Sequence, residues 1–172
     1  MLIIKGSSEP FLLSKYNMLD HIKQYNLVFP QELLAKIYEL KSQSTPALRS
    51  NILGWQSTQY PDTKEIPWID DFLKNCCAVA NLTNIPTAVW FNINSKNAHH
   101  RWHSHGGAST IGIFYIRIPK ESGNIEFRHN KEILSITPYE GLLLIAPAGM
   151  EHQVLPNNSN EDRISMAFNL DT

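Results

Sequence analysis

The sequence predicts a mainly β protein with flanking helices, an α+β chain whose second half forms an antiparallel sandwich or jelly-roll barrel. Three observations carry this. From residue 87 onward the chain reads as short β-branched and aromatic runs separated by turn residues. No helical period falls between those runs, and both stretches that do have a helical period lie before residue 87. A chain of 172 residues is long enough for one core. The expectation is therefore one domain over 1–172, with helical support and a loop over 1–86 and the β core over 87–172.

In "FPQELLAKIYELKSQ", Pro30 sits at a helix start and Leu33, Leu34, Ile37 and Leu40 repeat at the spacing of one buried face. In "PWIDDFLKNCCAVANL", Trp68, Ile69, Phe72, Leu73, Cys76, Val79 and Ala80 do the same behind Pro67. Between them "SNILGWQSTQYPD" has no period and reads as a loop or edge strand. Strands are expected at "TAVWFNIN", "STIGIFYIRI", "GNIEFRH", "EILSIT", "GLLLIAP", "HQVLP" and "RISMAFNL".

The charge balance narrows the function classes. Fifteen Lys plus Arg against 16 Asp plus Glu leave a net charge of −1, with no basic run to attract nucleic acid or anionic lipid. Cys76 and Cys77 are adjacent within a helix, poor geometry for bridging each other, and read as reduced thiols of a cytoplasmic protein. The opening "MLIIKGSSEPFLL" reaches Ser and Glu too soon for a signal peptide or a membrane span.

Chemistry concentrates in "NAHHRWHSHGGAST", where four of the seven histidines fall between His99 and His105. In an extended segment residues i and i+2 share a face, so His103 and His105 can converge on one ion. A third ligand must come from elsewhere, and His152 in "APAGMEHQVLPN" is the natural donor. His99 and His100 face opposite ways if extended and read as surface or supporting residues. His21 and His129, in polar surroundings, read as exposed.

The last strand carries a second constellation. In "DRISMAFNL", Arg163, Ser165, Ala167 and Asn169 share one face, while Ile164, Met166 and Phe168 make the apolar one. An inward-facing Arg calls for an anion, and its planar guanidinium suits a carboxylate, with the Ser165 hydroxyl adding a bond. The alternative is an Arg whose head reaches the rim and pairs with Glu161 or Asp162.

With these residues in place, the chain resembles the iron(II)- and 2-oxoglutarate-dependent oxygenases, in particular a group of largely uncharacterised bacterial and phage members. The likeness rests on "SNILGWQS", "HRWHSHGGASTIGIFYI", "GLLLIAPAGMEHQVLPN" and "DRISMAFNL", in that order. It implies a double-stranded β-helix, cupin-like, with iron at its open end. It also implies Fe(II) and 2-oxoglutarate as cofactors and hydroxylation of a substrate that the sequence does not identify, a small molecule, a peptide side chain and a nucleotide all staying open. Carried over residue by residue, His103, His105 and His152 match the metal positions, and Arg163 and Ser165 match the pair that binds the far carboxylate of 2-oxoglutarate. Asn92 and Tyr115 match further cosubstrate hydrogen bonders, and Asn51 and Trp55 lie in a segment placed near the substrate opening.

One departure stands out: the usual motif is H-x-D or H-x-E, whereas here the middle position is His105. Three neutral imidazoles leave a divalent ion one charge more positive. Glu126 is the least implausible source of a replacement carboxylate. Two alternatives use the same barrel. One is a cupin-type metal protein, for which "GLLLIAPAGMEH" supplies most of a second cupin motif; the other is a catalytically silent module binding a small acid. An exposed edge strand would also suit a homodimer.

Overall fold

The computed structural model describes residues 18–60, 63–84 and 86–171; the opening stretch "MLIIKGSSEPFLL" lies outside them. Eleven strands and two α-helices follow one another as β1 (Lys23–Asn26), α1 (Leu34–Gln43), β2 (Asn51–Ile52), β3 (Trp55–Gln56), α2 (Asp70–Val79), β4 (Ala88–Asn94), β5 (His99–His103), β6 (Thr110–Arg117), β7 (Ile125–His129), β8 (Glu132–Ile136), β9 (Leu142–Pro147), β10 (Glu151–Val154) and β11 (Arg163–Leu170).

The strands form two antiparallel sheets, one in the order β1-β9-β6-β11-β4-β3 and the other β2-β5-β10-β7-β8. Strands β4 to β11 distribute between the sheets in jelly-roll fashion. The two sheets share no strand pair among the described residues, so the expected barrel is an open sandwich. Each ladder ends at its own edges, and side chains rather than backbone bonds close the space between the layers.

The alternation along β11 shows how the layers are built. Ile164, Met166, Phe168 and Leu170 enter a core with Val89, Phe91 and Ile93 of β4, Phe114 and Ile116 of β6, and the buried faces of both helices. A second core fills the space between the sheets with Ile111, Tyr115, Ile125, Phe127, Leu142, Leu144 and Ala146. The helices thus cover one face of the six-stranded sheet, and the five-stranded sheet covers the other. Gly112 serves this packing, because a Cβ there would collide with the ring of Phe168, its partner across the ladder.

Both predicted helices form, each entered through a 3-10 turn behind its proline. Ile37, Phe72, Leu73 and Cys76 are buried as the period requires, but Val79, at the end of α2, is 40% exposed. Strand β1 was not foreseen: "KQYN" has no apolar alternation, and its place comes from backbone pairing to β9, Lys23 opposite Ile145. The 1–86 half is therefore not purely helical support.

Candidate metal centre and cosubstrate cleft

The end of the sandwich where β5, β10 and β11 meet opens into a cleft of about 710 Å³. His103 on β5 lies directly opposite His152 on β10, and His105 follows just beyond β5, its backbone N–H donating to Ala148 at 2.9 Å. One ring nitrogen from each of the three comes within 4.8 Å of the others.

The surrounding hydrogen bonds decide which nitrogen. Nδ1 of His103 donates to the Arg101 carbonyl at 2.7 Å, Nδ1 of His152 to the Met150 carbonyl at 3.1 Å, and Nδ1 of His105 to Asn169 Oδ1 at 2.8 Å. An acceptor at Nδ1 fixes the proton there and leaves Nε2 with its lone pair free, which is how metal-binding imidazoles are oriented. Nε2 of His105 is buried and has no hydrogen-bond partner. Burial pushes the His152 pKa down to about 3, with His103 and His105 adding to the effect, and burial also lowers those of His103 and His105. All three are therefore neutral at pH 7, the state in which imidazole binds a divalent ion. Trp90 stacks on His105 with ring centres 5.5 Å apart and steadies the ring.

His100 is not a surface residue. It is 8% exposed, and burial pushes its pKa to about 3, with Arg163, His103 and His99 acting in the same direction. The pairing between β5 and β10 holds the reason: the register shifts between His152 opposite His103 and Val154 opposite His100, a bulge in β5. Three steps along β5 match two along β10, so His100 and His103 both face the cleft despite their odd spacing. Asn94 Nδ2 donates to His100 Nε2 at 3.1 Å, which places the His100 proton on Nδ1, 3.2 Å from Ser50 Oγ. Ser50 Oγ in turn lies 3.2 Å from His103 Nε2. Gly54 makes room for this chain, since a Cβ there would strike Asn94 Oδ1. His99 bonds the Asn97 carbonyl at 3.1 Å, and neither His21 nor His129 borders the cleft.

Deeper in, Arg163 is 1% exposed. Its guanidinium donates to the carbonyls of Ser122 and Leu155, the latter at 3.0 Å, and lies 3.5 Å from that of Ala98. The rim-pairing alternative does not hold: Glu161 lies 3.8 Å from Arg117, and Asp162 accepts from Ser95 at 2.6 Å and Tyr38 at 3.2 Å. Burial without a carboxylate lowers the Arg163 pKa to about 10. Ser165, Asn92 and Tyr115 line the same cleft. Asn92 Nδ2 donates to Ser165 Oγ at 3.4 Å, while Asn92 Oδ1 and the Tyr115 hydroxyl are buried without partners. Buried polar atoms left open beside an uncompensated cation fit a polar, acidic ligand.

Other expected positions fall elsewhere. Trp55 sits in the core behind the six-stranded sheet, while its neighbour Gln56, pointing the other way, lines the cleft. Asn51 is spent on the turn after it, accepting from the Arg49 N–H and donating to the Gly54 carbonyl. Glu126 faces away from His152, bound by Gln153 at 2.7 Å, and no Asp or Glu among the described residues lines the cleft. His100 takes the supporting one of its two expected roles, and the residues that sequence reasoning passed over are Ser50, Asn94 and Asn169, with Arg49 and Arg101 at the mouth. Asn169 alone carried a signal, as the end of the polar row Arg163, Ser165, Ala167.

Comparison with known proteins finds likeness in part of the chain and in the fold. A family model described as "Putative 2OG-Fe(II) oxygenase" matches residues 126–169, the stretch that holds His152, Arg163, Ser165 and Asn169. Over that stretch the chain is similar to the 2OG-Fe(II) oxygenases. Solved structures share the fold of this chain at low identity. A prolyl hydroxylase from Trichoplax adhaerens, in complex with a hypoxia inducible factor peptide fragment, superposes with a TM-score of 0.66 at 12% identity, covering 90% of this chain and 86% of that one. The viral collagen prolyl hydroxylase of Paramecium Bursaria Chlorella virus-1, as a 2OG complex, gives 0.65 at 14% identity, with 86% and 94% covered. A Pseudomonas putida prolyl-4-hydroxylase gives 0.62 at 14%, with 88% and 93% covered. No curated protein sequence matches.

Proposed function

We propose that this protein is an Fe(II)- and 2-oxoglutarate-dependent dioxygenase of the hydroxylase type. His103, His105 and His152 hold Fe(II), and Arg163, Ser165, Asn92 and Tyr115 hold 2-oxoglutarate. One observation carries the reading: a buried arginine without a carboxylate partner among the described residues faces the same cleft as three histidines whose Nδ1 atoms are each held by an acceptor, with Nε2 of His105 left without a partner. Bound iron and 2-oxoglutarate supply the oxidising power, decarboxylation of the cosubstrate being coupled to activation of oxygen. The protein's own residues orient and exclude water. The Arg101 and Met150 carbonyls and Asn169 hold the three rings in one tautomer. Arg163, fixed by backbone carbonyls, presents its remaining N–H groups to a carboxylate, and Ser165 and Tyr115 add hydroxyls.

A cupin-type metal protein gives no role to Arg163 or to the unpartnered Tyr115 and Asn92 atoms. A silent acid-binding module would use them but release no succinate. Anaerobic addition of Fe(II) and 2-oxoglutarate is expected to raise a metal-to-ligand charge-transfer band, lost in His152→Ala and weakened in Arg163→Lys. Admitting oxygen should then yield succinate. Absence of the band in the wild type overturns the proposal, and a band without succinate leaves the silent module. No helix among the described residues is long and apolar enough to cross a membrane. A cytoplasmic setting agrees with Cys76 and Cys77, both buried and unbridged, the Cys76 thiol pushed by burial to about 12.

A further inference from the structure

The chain has five arginines, Arg49, Arg101, Arg117, Arg128 and Arg163. The two outside the cleft are matched by glutamates: Arg117 lies 3.8 Å from Glu161, and Arg128 holds Glu151 through two bonds of 2.8 and 2.9 Å. The other three line the cleft, and none of them has an acidic partner among the described residues. No Asp or Glu among the described residues lines the cleft, in a chain whose net charge is −1. The arginines without an acidic partner among the described residues are thus gathered where a ligand enters, an arrangement that focuses field on anions.

Arg163 is deep and is accounted for by the cosubstrate. Arg49 and Arg101 are exposed at the mouth and are brought together by the strands, the Arg101 N–H donating to the Ser50 carbonyl at 3.0 Å. They also flank the metal histidines: Ser50, next to Arg49, touches His103 Nε2, and Arg101 is two residues before His103. Trp102 forms the adjoining wall, held by Arg128 at 4.4 Å from its ring centre. An acidic group docked on the two arginines would lie at the mouth of the cleft that the histidines line.

We infer that Arg49 and Arg101 form the substrate's anchor and that the substrate carries an anionic group, a carboxylate or a phosphate. This rests on the proposed oxygenase reading, in that Arg163 is assigned to 2-oxoglutarate and the mouth is left for the substrate. The charge at position 105 sharpens it. With an imidazole there instead of a carboxylate, a divalent ion and three arginines outweigh the 2-oxoglutarate dianion, and a further anion relieves the excess.

With five arginines, arginine-selective NMR can follow each guanidinium. The full chain is loaded with Zn(II), a redox-silent stand-in for iron, and saturated with 2-oxoglutarate. It is then titrated separately with acetate, inorganic phosphate and the neutral acetamide. Acetate or phosphate is expected to shift the Arg49 and Arg101 signals saturably and leave Arg128 in place; the tighter of the two names the acidic group. Arg49→Gln and Arg101→Gln should each weaken that binding about three- to fivefold, the scale of an exposed charge pair, with 2-oxoglutarate binding unchanged. Unmoved Arg49 and Arg101 signals, or acetamide acting as well as acetate, overturn the inference. Failure of the oxygenase reading looks different: 2-oxoglutarate then leaves the Arg163 signal unshifted, whatever happens at the mouth.

Discussion

Asn169→Ala isolates the device that lets an imidazole serve at position 105. The substitution deletes one bond, the 2.8 Å contact from His105 Nδ1 to Asn169 Oδ1, and leaves the β11 backbone and the Trp90 stack in place. For a half-buried neutral pair the loss to the metal-free fold is about 1 kcal/mol. In a chain of this length that lowers Tm by about 2–4 °C. The cost to the metal is larger, because a ring free to turn or to change tautomer no longer presents Nε2. Loss of such a supporting bond weakens metal binding by about 10- to 100-fold, equivalent to about 1.4–2.7 kcal/mol. Competition with a chromophoric chelator for Fe(II), under anaerobic conditions, measures it directly. Asn169→Asp supplies the opposite control, since a carboxylate accepts the same N–H about twice as strongly and should bind metal at least as tightly as the wild type. An alanine variant within twofold of the wild type, while His105→Ala loses the metal, would refute the argument and reduce Asn169 to packing.

Two further outcomes follow from burial. His100 and His152, both held near pKa 3 chiefly by burial, are neutral in the fold but take up protons once unfolded, where the ordinary value is near 6.5. Their depressed values mean that stability is complete above about pH 6.5 and is lost as pH falls toward 3, by about 1.4 kcal/mol per histidine per pH unit within that window. Urea denaturation of the metal-free protein at stepped pH measures this, and a flat profile between pH 6.5 and 4 would contradict the burial. Gly112→Ala drives a methyl group into the Phe168 ring, in a core that holds both helices to the sheet. The expected loss is about 1–3 kcal/mol, read as a lower Tm, and an unchanged melting curve would show that β6 and β11 can part without cost.

How far the sequence reaches can be judged from particular residues. Period-two alternation in "RISMAFNL" divides Ile164, Met166 and Phe168 from Arg163, Ser165 and Asn169 as the sheet does, because β11 is flanked by pairing on both sides and cannot slip. The same rule misplaces His100, since the bulge in β5 breaks the period at Arg101 and Trp102, and a bulge leaves no mark in composition. Whether Arg163 met Glu161 or an open cleft was undecidable from spacing. That answer depends on Arg117, which reaches Glu161 from β6. Strand β1 escaped for a related reason: an edge strand made by backbone bonds needs no apolar alternation. Trp55 and Asn51 were assigned to the opening with the segment that carries them, whereas that segment contributes through Ser50 and Gln56.

The exchange of a carboxylate for an imidazole at position 105 alters more than the charge count. A carboxylate there would be a short ligand belonging to the five-stranded sheet. The imidazole offers two functional nitrogens, and this fold uses both: Nε2 faces the histidine pair on β5 and β10, and Nδ1 reaches Asn169 on β11 in the opposite sheet. The candidate metal centre is therefore tied to both layers of an open sandwich, at the end where no strand pairing joins them. The electrostatic consequence runs in the same direction. With no acidic side chain among the described residues of the cleft, negative charge would arrive with the ligands, at Arg163 and, on the inference above, at Arg49 and Arg101. Geometry and charge thus assign the same consequence to His105: a site held rigid by the protein and neutralised by what it binds.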